Sequence, residues 1–155
     1  MKLEGKNGLG KILQIVLWIS MCIGGITLLF LPLIIHTLHK HFDLFVIIIY
    51  PCGALFLIMI YYFIGLFKSI ENNKSFDNKN VIRMKKSMPI SFIISLLVVI
   101  DLLISIFVYN YYTLQLKIAL AFISILFFGV AIALYILSEL FKQAIEYKEE
   151  NDLTI

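Results

Sequence analysis

Apolar residues gather along the chain into four long runs, about 12–35, 44–67, 88–109 and 116–138, separated by polar connections. Each run reaches or exceeds the roughly 20 residues that an α-helix needs to cross about 30 Å of hydrocarbon. The pattern predicts an all-α fold, a four-helix transmembrane bundle forming one domain of 155 residues. The longer polar segments, 1–11, 68–87 and 139–155, are each too short to build a core, so no soluble catalytic domain fits. The connection at about 110–115 is short, which makes the third and fourth helices antiparallel neighbours.

The polar segments carry helical patterns of their own. Asp77 is placed to cap a short helix in the second connection, running through Asn80, Ile82 and Arg83 toward the third span. Val81, Met84 and Met88 take its inner side, and Pro89 marks its junction with the span. Beyond Ser138 the fourth helix extends out of the apolar run. Leu137, Leu140, Phe141, Ala144 and Ile145 form an i, i+3, i+4, i+7, i+8 stripe there, before an acidic end. The pairs Ser20/Gly24 and Gly129/Ala133 have the small-residue spacing that lets helices approach closely, within the bundle or along a homo-oligomer seam.

Charge sets the orientation. Hydrophobic residues make up 61% of the chain and charged residues 15%, against about 25% charged in soluble domains. Eleven Lys and Arg fall on the side of the termini and the second connection, and two, Lys40 and Lys117, on the other. Basic residues stay on the cytoplasmic side, so both termini, the 68–87 loop and the 139–155 tail are expected in the cytoplasm. Lys2, Lys6 and Lys11 precede the first run as in a signal peptide. The run continues from Ile12 to Ile35, too long for a signal's apolar stretch, and reads as a retained helix.

Candidate chemistry is sparse. Asp101 lies about a dozen residues into the third span, where an ionised acid costs roughly 2.5–3.5 kcal/mol, so it should face other helices or water. Ser91, Ser95, Val98 and Ser105 share its sector. A hydrogen-bonded acid that sets helix register is the plain reading, and a proton- or ion-linked transport or export role is the functional one. His36, His39 and His41 cluster at the outer turn with Asp43. They read as solvated boundary residues, with a metal site or pH sensing as the alternatives. Cys22 and Cys52 sit at different depths and read as buried free thiols.

Six cations against Glu71 and Asp77 leave the 68–87 loop at about +4. That charge suits topology and attraction to the lipid bilayer, or docking of a protein partner or of the chain's own tail. No direct nucleic-acid motif fits so short a loop. No nucleotide, metal-protease, hydrolase or dinucleotide fingerprint occurs, so neither an enzyme nor a cofactor is expected. A place as accessory subunit beside a larger membrane complex stays open.

The stretch Ser75-Phe76-Asp77-Asn78-Lys79-Asn80-Val81-Ile82-Arg83-Met84 resembles the "p-F-s-x-e-N-v-x-r-L" segment between the second and third spans of a bacterial family. The ending, Glu149-Glu150-Asn151-Asp152-Leu153-Thr154-Ile155, resembles the same family's acidic close followed by Leu-Thr-Ile. That family is domain of unknown function 2975, the YoaS-like four-span membrane proteins. Lys79 stands where the pattern has an acid, and Met84 where it has Leu. The resemblance implies a non-enzymatic protein of the bacterial cell membrane, paired with a small Cro/CI-type helix-turn-helix regulator. The positions it would carry to partner contact are Phe76, Asn80, Arg83, Leu153, Thr154 and Ile155.

Overall fold

Each apolar run becomes one helix, and each helix outgrows its run. The computed structural model describes residues 4–38, 43–71, 77–107 and 113–153, with side chains described within 10–33, 47–70, 77–107 and 113–150. The helices are α1 (Glu4–Leu38), α2 (Asp43–Glu71), α3 (Asn78–Phe107) and α4 (Leu114–Leu153). All four are long and apolar enough to cross a membrane, so the chain is a multi-pass membrane protein.

Local chemistry starts two of them. The Asp77 carboxylate accepts from the Lys79 amide at 3.0 Å, and its carbonyl accepts from the Asn80 amide at 2.8 Å, which caps α3. Thr113 does the same for α4, its hydroxyl accepting from the Leu116 amide and its carbonyl from that of Lys117. The short helix expected in the second connection is not a separate element. It is the opening of α3, which runs unbroken past Pro89.

The close contacts between helices follow chain order: α1 on α2, α2 on α3, α3 on α4. Those of α3 and α4 are the most extensive. On α3 the buried positions include Asn80, Met84, Ser87, Ser91, Ile94, Val98, Asp101 and Ser105, which alternate steps of four and three. On α4 the line Leu120, Ser124, Phe127, Ala131, Leu134, Ser138, Phe141 and Ile145 keeps the same repeat, buried or half-buried throughout. A strict seven-residue repeat holds one face of each helix against its partner, in left-handed packing.

What fills this seam is small and polar. The Ser91 hydroxyl donates to the Phe127 carbonyl at 2.8 Å and that of Ser95 to the Ser124 carbonyl at 2.9 Å, both across the helix pair. Ser105, Ser124 and Ser138 donate to carbonyls three residues back in their own helices. No described buried side-chain polar atom lacks a partner. Lipid is as apolar as Leu, so close approach and interhelical hydrogen bonds, not expulsion of water, hold such a pair together.

On α1 the half-buried line is Gln14, Leu17, Met21, Gly24, Leu28 and Leu31, again at seven-residue spacing, and no residue between 11 and 33 is fully buried. A Cβ on Gly53 of α2 would come within 2.8 Å of Leu28, and one on Gly24 within 3.1 Å of Leu57. Glycine lets the two backbones approach at these levels. Between α1 and α4, an apolar cleft of about 500 Å³ opens over Cys52, Phe56 and Val98. Phe56 and Phe127 meet edge to face on its floor, with ring centroids 5.9 Å apart.

Several expectations change here. Ser20 is exposed, and Gly24 packs with Met21 and Leu28 in its line instead. Gly129 and Ala133 are exposed, with nothing within 4 Å of a Cβ built on Gly129, so this pair takes no part in packing within the chain. Leu137 and Leu140 point outward, because the seam passes through Ser138 and Phe141. Cys22 is exposed and only Cys52 is buried, and both thiols are free.

Ser91→Ala is expected to cost about 0.6 kcal/mol, the typical worth of an interhelical hydrogen bond in a membrane. Ser91→Leu, although more apolar, should cost roughly 1–3 kcal/mol by overfilling a fully buried position. Denaturation by SDS in mixed micelles reads both. A Leu variant as stable as the parent would show that α3 and α4 are not in close apposition there.

Candidate functional site

Charge concentrates at one end of the molecule, where the end of α2 meets the start of α3 and the outer part of α4. Arg83 organises it. Its Nη1 donates to the Gly65 carbonyl at 2.8 Å, to Ser69 Oγ at 3.0 Å and to Asn80 Oδ1 at 3.0 Å. The guanidinium thus ties α3 to the last turns of α2. It lies so close to the α2 backbone that a Cβ on Gly65 would sit 2.8 Å from Nε and 3.0 Å from Cζ. Among the described residues no carboxylate pairs with Arg83. Asn80 is fully buried and supplies one of the acceptors that hold Arg83 in place.

On the other flank, Lys85 of α3 pairs with Glu139 of α4 at 2.9 Å, just where the fourth apolar run ends. Lys142 pairs with Glu146 one turn further along α4, at 3.5 Å. The Lys85 ammonium, hydrogen-bonded to Glu139, holds that carboxyl below its ordinary 4.5, and Lys142 adds in the same sense. Lys68, Lys79 and Lys86 are exposed around Arg83. These groups present N–H donors and positive charge, so the chemistry they offer is recognition of anionic groups.

Two of the positions expected at a partner surface, Asn80 and Arg83, are therefore spent largely on the chain's own packing. Phe76, Thr154 and Ile155 lie outside the described residues, and Leu153 is described only as the last residue of α4. His39 and His41 lie outside them too, and the side chain of His36 is not described. Among the described residues, no three His, Cys, Asp or Glu side chains gather as a metal site.

Asp101 is buried in the α3–α4 seam on the same line as Ser91 and Ser105, with Ser95 beside it, as their shared sector predicts. The bonds from Ser91 to Phe127 and from Ser95 to Ser124 set a register that brings Asp101 level with about Lys117, at the beginning of α4. Phe107, the last described residue of α3, lies six residues, about 9 Å, beyond the acid. Sequence reading could not give this level, because it depends on the register between two helices. It also missed Gly65, whose role depends on what crosses it, and the Lys85–Glu139 pair, which joins residues far apart in the chain.

The depressed pKa of Glu139 makes one pH prediction. Its folded value lies below the unfolded one, so the pair's contribution is present above about 4.5 and lost as pH falls through the folded value. Glu139→Gln should lower the melting temperature of the detergent-solubilised protein near pH 7, with the gap to wild type closing under acid. A gap that does not change with pH would assign the effect to packing.

No curated protein and no solved structure matches the chain. The family described as "Protein of unknown function (DUF2975)" matches residues 40–155. That range holds α2, α3 and α4 with their charged ends, and leaves out the whole of α1, which packs on α2 alone. With three quarters of its length matched, including the seam and the Arg83 cluster, the chain belongs to this family of proteins of unknown function, DUF2975.

Proposed function

We propose that this chain is a non-enzymatic protein of the bacterial plasma membrane, with both termini in the cytoplasm, whose charged end binds and controls a small helix-turn-helix transcription regulator. The observation that carries this reading is the continuity of the α3–α4 seam. The same seven-residue repeat runs from Ser105 and Leu120 in the apolar runs to Asn80 and Ile145 in the charged extensions. A change of packing among the spans would then reach the charged end through a stiff helix pair rather than a loose linker.

The surface for the regulator is assigned to the far end of α4. In the register set by the serine-to-carbonyl bonds, α4 passes the first residue of α3 at about Leu140 and continues to Leu153, about 20 Å further. Glu146, Glu149 and Glu150 are exposed along this stretch. An acidic helix end complements the basic surface that a DNA-binding domain needs for phosphate. The sequence Leu153-Thr154-Ile155 that follows adds a short apolar contact. A second reading, self-association or a place beside a larger membrane complex, draws on Gly129 and Ala133, the small pair exposed on α4.

The test is co-expression with a small helix-turn-helix regulator of the Cro/CI type, followed by fractionation. A chain ending at Tyr147 keeps Glu139, Phe141 and Ile145, and with them the seam, but loses the acidic end. The full chain should hold the regulator in the membrane fraction, and the shortened one should release it by about tenfold or more, the loss expected from removing a few charged contacts. Retention unchanged by the truncation would remove the α4 end from the interface. No retention by the full chain would end the regulator reading.

A further inference from the structure

A pocket of about 510 Å³ lies between α1, α2 and α3 at the charged end, within the size range of small-ligand sites. Four cations from two helices line it: Lys68 of α2 and Lys79, Arg83 and Lys86 of α3. No acidic side chain does, among the described residues. Trp18 of α1 and Tyr61 of α2 form part of its wall, both half exposed or more. Indole and phenol rings favour the level where acyl chains give way to headgroups. One pocket thus joins a cationic part to an aromatic, amphipathic part. Arg83 is held there by its three Nη1 acceptors, while Nε and Nη2 make no hydrogen bond to a described residue. A guanidinium immobilised before binding loses little entropy on meeting a phosphate, and its fork matches two phosphate oxygens.

We propose that this pocket binds the phosphate of an anionic amphiphile, a phospholipid headgroup whose chains run down past Trp18 and Tyr61. The site stands independently of regulator binding. It is also distinct from diffuse attraction of a basic surface to an anionic leaflet, because its geometry depends on an uncharged residue. Gly65→Ala would bring a methyl group against the Arg83 guanidinium and displace it without changing the net charge.

Trp18 is the chain's single tryptophan, so its fluorescence reports on the pocket. The full chain is reconstituted in vesicles of phosphatidylcholine with phosphatidylglycerol, with bromine carried on the acyl chains of one lipid or the other. Brominated phosphatidylglycerol should quench Trp18 at a mole fraction at least about fivefold lower than brominated phosphatidylcholine, the factor that one juxtamembrane cation supplies. Lys79→Gln combined with Lys86→Gln should erase that preference, and Gly65→Ala should reduce it severalfold. Lys148→Gln, outside the pocket, should leave it intact. In a second arm, inorganic phosphate is added to vesicles of phosphatidylcholine alone. A saturable change in Trp18 emission that Gly65→Ala abolishes would keep the phosphate site but assign its ligand to solution. A preference that ignores Gly65→Ala and falls equally with Lys148→Gln would overturn the proposal in favour of diffuse attraction. So would the absence of any response in both arms.

Discussion

The bundle depends on how closely α3 can approach α4. Serine makes that approach possible: Ser87, Ser91 and Ser138 are almost fully excluded from solvent, and Ser95, Ser105 and Ser124 nearly so. In water such residues would give a poor core, because they offer little apolar area. Between lipid-facing helices the terms are different. A small side chain brings the backbones together, and a hydroxyl that reaches a carbonyl leaves no polar group stranded in hydrocarbon. Large apolar residues, meanwhile, sit mostly on the outside: Phe107, Leu114, Phe122 and Ile125 are all strongly exposed. Lipid covers them.

The same repeat carries the bundle beyond the apolar runs. Asn80 and Met84 continue the α3 line, and Phe141 and Ile145 the α4 line, into segments rich in charge. There the polar contacts change from serine hydroxyls to ions. Lys85 meets Glu139 across α3 and α4, and Arg83 reaches across to the end of α2. The charged end is thus a continuation of the spans, and its cations are displayed on a framework that packing holds rigid. That connection supports both the regulator reading and the anionic pocket, though the two use different surfaces.

α1 stands apart. It contacts α2 along one line, leaves an apolar cleft between itself and α4, and lies wholly outside the family match. Its tryptophan nevertheless closes one wall of the cationic pocket. The helix with the least packing still contributes to the site with the densest charge.

Four helices, their approximate limits and the membrane as solvent were legible from the chain alone, because hydropathy along a helix is a local property. So were the Asp77 cap and the inward side of Val81 and Met84, which depend on spacing within one helix. Asp101 could be placed in a sector with the serines for the same reason. Its level opposite Lys117 could not, since that depends on the register between two helices, which the serine-to-carbonyl bonds define. Nor could the chain reveal that Asn80 is buried, that Gly65 lies under Arg83, or that Gly129 faces outward. A small or polar residue suits a contact, a cap or a lipid-facing position equally well until its neighbour is known. Pattern therefore determined which segments cross the membrane, and only the packing of helix against helix decided which polar groups hold the structure and which are left to bind something else.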